Sequence, residues 1–264
     1  MARRAGTHLF YQTHQKKDLM NVMYLATFLV ALISSVLSGI AGGGGGYLMA
    51  PYWLLSGMTP AQGATTGGFM AIGMGASSLA AFRRTEHYPR NRQLTIALTT
   101  VTTVASIIGA LTLTHINVSS FRTILALITI VSIPMLFIDR RKIRLSKRYR
   151  TMGIGLLVLL LLLSSIITSS AFSILIAICL SQLFNLSILQ STALRRLVGL
   201  VQSGAIFAVL AVQGNFLVFH ALAAIIGGSA GSYLGTRFAI KKGESFARYA
   251  LAAGALIGAV ALLF

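Results

Sequence analysis

The sequence is poor in acidic residues, with 4 Asp and Glu in a chain of 264 residues against 22 Lys and Arg. The four acids all lie at segment ends or in loops, at Asp18, Glu86, Asp139 and Glu244. Carboxylates and thiolates are the common ligands of transported and bound metals, and the chain has a single cysteine, Cys179. An intrachain disulfide and a cysteine metal cluster are therefore excluded. Metal transport is disfavoured, and no metal site or cofactor is expected.

Charge of either sign is also scarce, because 10% of the residues are charged and 56% are hydrophobic. Soluble domains have about 25% charged residues. A formal charge of +18 would suggest nucleic acid as a partner of a soluble protein. Here the basic residues cluster in short connections between apolar segments, which is typical of cytoplasmic loops. The composition predicts an all-α polytopic membrane protein, with the lipid bilayer and not nucleic acid as its surroundings.

The chain after a polar N-terminal tail, residues 1–19, divides into about eight to ten apolar helical segments. A membrane-spanning helix needs about 20 residues, so the second and seventh segments are short enough to be broken or re-entrant. The ten segments are 20–41, 43–56, 59–82, 93–114, 120–138, 152–168, 170–184, 187–211, 215–238 and 246–264.

Basic loops predict which face of the membrane each connection occupies. Loops 83–92, 139–150 and 239–248 carry clusters of Lys and Arg and are expected in the cytoplasm, with a bacterial inner membrane as the location. The connections 114–120 and 211–215 carry none and are expected outside. The side of the N-terminus stays open. Two crossings by the first two segments would place it outside, whereas its four basic residues favour the cytoplasm.

A faint internal repeat divides the chain into two halves. The stretch GMTPAQGATT (57–66) aligns with NLSILQSTAL (185–194), which matches Thr59 with Ser187 and Gln62 with Gln190. The basic loop of the first copy has no counterpart in the second, as expected if the copies have opposite orientations. Inverted repeats of this kind are common in secondary transporters. We therefore expect repeats at 20–138 and 152–264, joined by a basic loop at 139–151.

Five consecutive glycines, Gly42 to Gly46, interrupt the apolar sequence. An unpaired backbone group in lipid costs several kcal/mol, so a break here must be buried in protein or line a cavity. The next helix would begin near Gly45–Leu48, and its free N–H groups and aligned peptide dipoles attract anions. Gly43, Gly44, Gly45 and Gly46 are accordingly predicted to bind substrate. The alternative is close helix packing at small-xxx-small spacing.

The run GGGGGYLMAPYWLLSGMTPAQGATTGGFMA (42–71) resembles the TauE/SafE family of sulfite exporters and related anion permeases. The resemblance implies a membrane permease for small oxyanions or organosulfonates, with a site at the start of each repeat. It carries onto Gly42 to Gly46, Pro51, Gly57, Ala64, Thr65 and Thr66. The second half departs from the family pattern, because TSSAFSILIAICLSQLFNL (168–186) stands where the glycine-rich turn is usually repeated.

Arg195 and Arg196 lie within the eighth apolar segment, and no acid lies in an apolar segment to pair with them. A cation within a bilayer tends to face a cavity or a partner, and a guanidinium group fits sulfonate or carboxylate oxygens. The alternative is that one or both reach the interface by snorkelling. The repeat alignment matches the two arginines with Gly67 and Gly68, which predicts that the two copies bring guanidinium groups together with Thr65 and Thr66.

Further hydroxyl and amide groups complete the predicted substrate site. Thr168, Ser169 and Ser170 occupy the place of the glycines in the second copy, and Gln190 and Gln62 add neutral donors. Each glutamine also has a structural interpretation, at the start of a segment. Ser169, Ser170 and Gln190 are predicted to bind substrate together with the glycines, Thr65, Thr66 and the two arginines.

Three questions about function stay open at this point. A proton-coupled carrier needs a titrating group, and only His220 and His115 qualify, although a lone histidine is often structural. Export of an anion needs no coupling, because an inside-negative potential favours it by about 2.3 kcal/mol per charge per 100 mV. A permease for small carboxylates is an alternative. An intramembrane serine hydrolase using Ser77 or Ser78 with His220 is a remote one, without the usual Gly-x-Ser-Gly setting.

Overall fold

The computed structural model describes six helices with defined bounds and a further helical stretch at 153–161, so the secondary structure of the described residues is helical, as predicted. The helices are α1 (Ala2–Ala41), α2 (Gly46–Leu55), α3 (Pro60–Phe82), α4 (Arg92–Leu113), α5 (Ile188–Val212) and α6 (Val218–Lys242). The described residues are 2–41, 46–113, 153–161, 176, 179–180, 183–184, 186–243, 245–246, 249 and 253. The basic loop 139–151 lies outside them, as do all or most of the fifth, seventh and tenth predicted segments and the second half of the sixth.

Four of these helices are long and apolar enough to cross a membrane, namely at Met20–Ile40, Arg92–Leu111, Leu189–Val212 and Val218–Lys242. Their outward faces carry large apolar side chains. Ile96, Phe219 and Ile226 are 65%, 66% and 62% exposed. Apolar side chains on the outside of a bundle fit contact with lipid chains, which are as apolar as leucine. The chain therefore has the build of a multi-pass membrane protein.

Helices α3 and α5 begin with the same capping arrangement. The Gln62 backbone N–H donates to the Thr59 hydroxyl at 3.2 Å, and the Thr59 N–H donates to the Gln62 side-chain oxygen at 3.1 Å. Ser187 and Gln190 make the same pair of bonds at 3.1 and 3.0 Å. Such a capping box satisfies backbone donors that the first turn of a helix leaves free. Gln62 and Gln190 therefore both have the structural role of capping a helix start. They lie at positions that the repeat alignment matches.

Helices α1 and α6 pack backbone to backbone along a stripe of glycines. Carbonyl oxygens spaced one turn apart on α1 face these glycines: Phe28 faces Gly227, Leu32 faces Gly231 and Val36 faces Gly235. Near the end of the stripe Gly39 of α1 lies against Ser232 and Thr236 of α6. Small residues allow this approach. Because residue numbers rise together on both helices, α1 and α6 run in the same direction.

Helix α3 also runs in the direction of α6. Met70 lies against Gly228, and eight residues later the Ser78 hydroxyl is 2.7 Å from the Thr236 hydroxyl. Between these contacts the Ser232 hydroxyl donates to the Met74 carbonyl at 3.0 Å. Helices α1 and α3 therefore both pack on α6 and run parallel to it.

The chain reverses direction between α1 and α2. The Tyr52 hydroxyl of α2 lies 2.7 Å from the Thr27 hydroxyl of α1, although the two residues are 25 positions apart. A continuous helix would separate them by about 37 Å. Helix α1 ends at Ala41 and α2 begins at Gly46, with Gly42 to Gly45 outside the described residues. The short helix α2 brings the chain back to the end of the bundle where α3 starts, so α3 can run parallel to α1.

Helices α3 and α5 cross in opposite directions. A Cβ atom at Gly68 would lie 3.4 Å from the Ser203 carbonyl oxygen, and one at Gly75 would lie 3.4 Å from the Arg196 carbonyl oxygen. A shift of 128 residues, the separation of the two capping boxes, converts position 68 into 196 and position 75 into 203. The same shift therefore converts the contact between Gly68 and Ser203 into the contact between Arg196 and Gly75, with the roles of α3 and α5 exchanged. Helix α4 packs on α5, as α3 packs on α6.

Candidate functional site

The carboxyl end of α1, immediately before the glycines, contacts the guanidinium group of Arg196 on α5. One terminal nitrogen of Arg196, Nη2, donates to the Ser38 carbonyl oxygen at 2.6 Å and contacts the Ser38 hydroxyl at 2.7 Å. The last four carbonyls of a helix have no partner within it and carry a partial negative charge. Ser38 provides one of these four carbonyls, so Arg196 caps α1 and balances the charge at its end.

Two polar atoms at this end of α1 have no hydrogen-bond partner in the part of the chain that the structure describes. They are the Nε atom of Arg196 and the hydroxyl of Ser35, whose residue is fully buried. Ser35 lies one helical turn before Ser38, on the same face of α1. A buried polar atom without a partner is costly, and bound water or a ligand commonly satisfies it. Both atoms can donate to an anion.

Further hydroxyl groups surround this end of α1. Gly39, the residue after Ser38, lies against Ser232 and Thr236, whose hydroxyls bond to α3 at the Met74 carbonyl and at Ser78. Four helices thus bring polar groups to one level of the bundle, which we call the polar layer. It consists of Ser35, Ser38, Ser78, Arg196, Ser232 and Thr236. Of these residues, Arg196 was predicted from the sequence to bind substrate. The serines of α1 were not, although the repeated spacing of Ser34, Ser35 and Ser38 is a signal that indicates a polar face on this helix.

Thr65 and Thr66, the predicted partners of the arginines, lie away from Arg196 along α3. Gly75, which faces Arg196, is nine or ten residues further along α3 than Thr66 and Thr65, or about 14 Å. The Thr65 hydroxyl donates to the Ala61 carbonyl of its own helix at 2.7 Å. The Thr66 hydroxyl is fully buried and has no partner among the described residues.

The repeat alignment matches Arg196 with Gly68, but these two positions do not meet where α3 and α5 cross. Gly68 contacts Ser203 and Phe207 instead. The physical reason is the antiparallel crossing of α3 and α5. Positions that match in the repeat lie equally far from the crossing point but on opposite sides of it, and here they are about 13 Å apart.

The other predicted site residues divide into two groups. Arg195 is half-buried, Gln190 accepts the Ser187 N–H in its capping box, and Gly46 is the first residue of α2. The predictions at Gly43, Gly44, Gly45, Ser169 and Ser170 fall outside the described residues.

The geometry excludes the hydrolase that the sequence left as a remote alternative. The Ser77 hydroxyl donates to the Met74 carbonyl at 3.1 Å, and Ser78 bonds to Thr236. His220 lies 16 residues before Thr236 on α6, or about 24 Å away along the helix axis. A catalytic base must be in contact with its nucleophile, and this histidine is not.

Comparison with known proteins gives one match. The family model described as Sulfite exporter TauE/SafE matches residues 27–262, which is nearly the whole chain. The match begins within the apolar part of α1 and includes every other described helix. No curated protein matches, and no solved structure matches.

Proposed function

Because the chain belongs to the TauE/SafE sulfite exporter family, we propose that it is a permease that moves small anions of the sulfite or organosulfonate class across a membrane. The family match is the observation that carries this proposal. The four apolar helices fit a multi-pass membrane protein of that kind. Membership in a transporter family is also consistent with a protein that is not an enzyme.

The proposed anion site lies where α1 ends and α2 begins. The first N–H groups of α2 lack partners within the helix, and the helix dipole makes its amino end positive. The carboxyl end of α1 would repel an anion, but Arg196 bonds to it at Ser38 and supplies a full positive charge there. Broken helices that place such ends near a substrate are a recurring device in transporters. Gly43 to Gly46, Arg195 and Arg196 form this proposed site.

A second half-site belongs to the proposal through the repeat. Ser169 and Ser170 would take the place of the glycines in the second copy. In the first copy, Thr66 contributes a buried hydroxyl that has no partner among the described residues, and Thr65 lies next to it. Gln190 uses its side-chain oxygen in the capping box, and its NH₂ group is the donor it would offer.

Alternating access between two inverted repeats is the proposed mechanism. Its support is the crossing of α3 and α5, in which the contacts at Gly68 and Gly75 exchange under the same shift that relates the capping boxes. The packing of α3 on α6 and of α5 on α4 agrees with that exchange. In this mechanism each repeat takes up the conformation of the other, which opens the site to the opposite side.

A flux measurement with purified protein in liposomes tests the function. We expect saturable flux of sulfite, thiosulfate or a taurine-like sulfonate, with sulfate and small carboxylates as comparison substrates. The variant Arg196→Ala should abolish flux while still inserting into membranes. Arg237→Ala is the matched control, because Arg237 is exposed and its guanidinium lies 5.6 Å from the Tyr233 ring.

Each alternative gives a different result in this panel. Flux of carboxylates without flux of sulfur oxyanions would favour the carboxylate permease. Absence of flux for every anion, with protein that is folded and inserted, would refute an anion permease. Undiminished flux in both Arg195→Ala and Arg196→Ala would refute the site while leaving the function intact.

A further inference from the structure

Three helices meet at the hydroxyl group of one buried threonine. The Thr27 oxygen of α1 lies 2.7 Å from the Tyr52 hydroxyl of α2 and 3.0 Å from Nδ1 of His220 on α6. The same hydroxyl donates to the Met23 carbonyl at 2.9 Å. The ring of Tyr24 packs on the imidazole at a centroid distance of 5.0 Å. The proposed anion site does not use this cluster, because Thr27 lies 11 residues before Ser38 on α1, or about 16 Å along the helix axis.

One assignment of protons gives every member of the cluster a partner. A hydroxyl has one proton and two lone pairs. Because Thr27 donates its proton to Met23, its oxygen accepts from the two remaining neighbours, the Tyr52 O–H and the His220 Nδ1–H. Nε2 is then the imidazole nitrogen that gains or loses a proton when the histidine titrates.

His220 is the one Asp, Glu or His residue within the four candidate spans or within α2 and α3. In the part of the chain that the structure describes, the titratable groups that face it are the phenols of Tyr24 and Tyr52. Neither α1 from Met20 to Ile40, nor α2, nor α3 contains an acidic or basic residue. Histidine is the side chain whose charge ordinarily changes between about pH 5 and 8.

We propose that His220 is a proton-binding site and that its protonation is transmitted through Thr27 to Tyr52, which changes the position of α2. The proposal rests on the proposed function in one respect, namely that the amino end of α2 is part of the anion site. Tyr52 lies six residues after Gly46 on this ten-residue helix, so movement of its side chain is coupled to that end.

The direction of the effect follows from competition for one oxygen. Protonation at Nε2 turns the Nδ1–H into a charged donor, and charge-assisted bonds are about twice as strong as neutral ones. A stronger bond from His220 makes the Thr27 oxygen a poorer acceptor for Tyr52. A second acceptor lies near, because the Met23 carbonyl is 3.4 Å from the Tyr52 hydroxyl. Proton uptake therefore moves Tyr52 from Thr27 toward Met23, and proton release restores the contact.

The only tryptophan of the chain reports on this movement. Trp53 follows Tyr52 directly, its ring lies 5.3 Å from that of Tyr52, and it is 5% exposed. It packs on α3, where a Cβ atom at Gly63 would lie 3.0 Å from the Trp53 Cβ atom. A shift of α2 against α3 changes the surroundings of the indole and hence its fluorescence.

The experiment is a fluorescence titration of the purified full-length protein between pH 5 and 8. We expect one sigmoidal change in Trp53 emission in the native sequence and its loss in His220→Asn, whose amide N–H replaces the Nδ1 donor without titrating. His87→Asn, in the loop after α3, is the control and should keep the change. Where His220→Asn is misfolded by size-exclusion chromatography, His220→Gln replaces it.

Tyr52→Phe separates transmission through the hydroxyl from direct quenching by the imidazolium charge. It keeps a ring beside Trp53 but removes the donor, so the change should be lost. A native protein without the change, a change retained in the His220 variant, or one retained in Tyr52→Phe would each overturn the proposal. Anion flux is measured on the same samples. Flux absent for all anions would refute the permease, whereas the fluorescence titration would still decide the proton site.

Discussion

Alanine in place of Gly39 tests how closely α1 and α6 are packed. Gly39 lies in α1 immediately after Ser38, the residue that Arg196 caps. A Cβ atom at this position would lie 2.6 Å from the Ser232 carbonyl oxygen and 2.7 Å from the Thr236 backbone nitrogen. Both atoms belong to the backbone of α6, so neither can rotate away. The helices must separate to accept a methyl group.

The loss of stability in Gly39→Ala can be estimated from how far α1 and α6 must move apart. Close carbon–oxygen contacts between helices are about 3.3–3.6 Å, so α1 and α6 must move apart by about 0.7–1.0 Å. Overpacking of this kind costs about 1–3 kcal/mol, and a backbone-to-backbone overlap belongs at the upper end. Alanine regains about 1 kcal/mol of helix propensity relative to glycine. The net expectation for Gly39→Ala is a destabilisation of about 2 kcal/mol.

Gly204→Ala is the matched control, because a Cβ atom at Gly204 in α5 would meet no described atom within 4 Å apart from its own chain neighbours and nearby helix backbone. The same gain in propensity, about 1 kcal/mol, should here raise stability. Thermal unfolding in detergent, followed by Trp53 fluorescence, measures both variants. We expect a lower melting temperature for Gly39→Ala and an equal or higher one for Gly204→Ala. Equal melting temperatures for the two variants would refute the inference that the glycines hold α1 against α6.

Two further predictions concern the helix caps and the direction of the helices. Thr59→Ala and Ser187→Ala should each lower stability by about 1 kcal/mol in the same unfolding assay, because each removes a side-chain cap; no loss in either would mean that the caps are not needed. In a Cys179→Ser background, an impermeant thiol reagent should reach Gln213→Cys and Glu86→Cys from opposite faces of the membrane. Labelling of both from one face would contradict the antiparallel crossing of α3 and α5.

Local patterns in the sequence predict much of this fold. Composition and the length of apolar runs predict the membrane helices, because a single helix must bury its own backbone polar groups in lipid. The alignment of Thr59 with Ser187 predicts that two segments begin alike, and a capping box needs only residues three positions apart. The length of an apolar run and the spacing of a capping box can each be read from residues that are close together in the sequence.

The contacts of Arg196 could not be predicted in the same way. Its partner Ser38 is 158 positions away, and the contact depends on where α5 crosses its neighbours. The repeat alignment matches Arg196 with Gly68 but does not say that antiparallel crossing separates matched positions. Thr27, Tyr52 and His220 likewise come together only because α2 folds back along α1. Such contacts depend on helix register, which hydrophobic pattern alone leaves free.

The contact between Arg196 and Ser38 makes the two ends of the α3–α5 crossing unequal. The matching position on α3 is Gly68, which has no side chain and can form no such bond. Moving α5 away from α1 at the arginine end requires both hydrogen bonds to Ser38 to break, and bonds to a charged group contribute about 1.5–3 kcal/mol each. The glycine end of the crossing has no such side-chain bond to break. In the proposed permease of two related halves, this difference would give the empty protein a preferred resting conformation, which an arriving anion would have to offset before the other side could open.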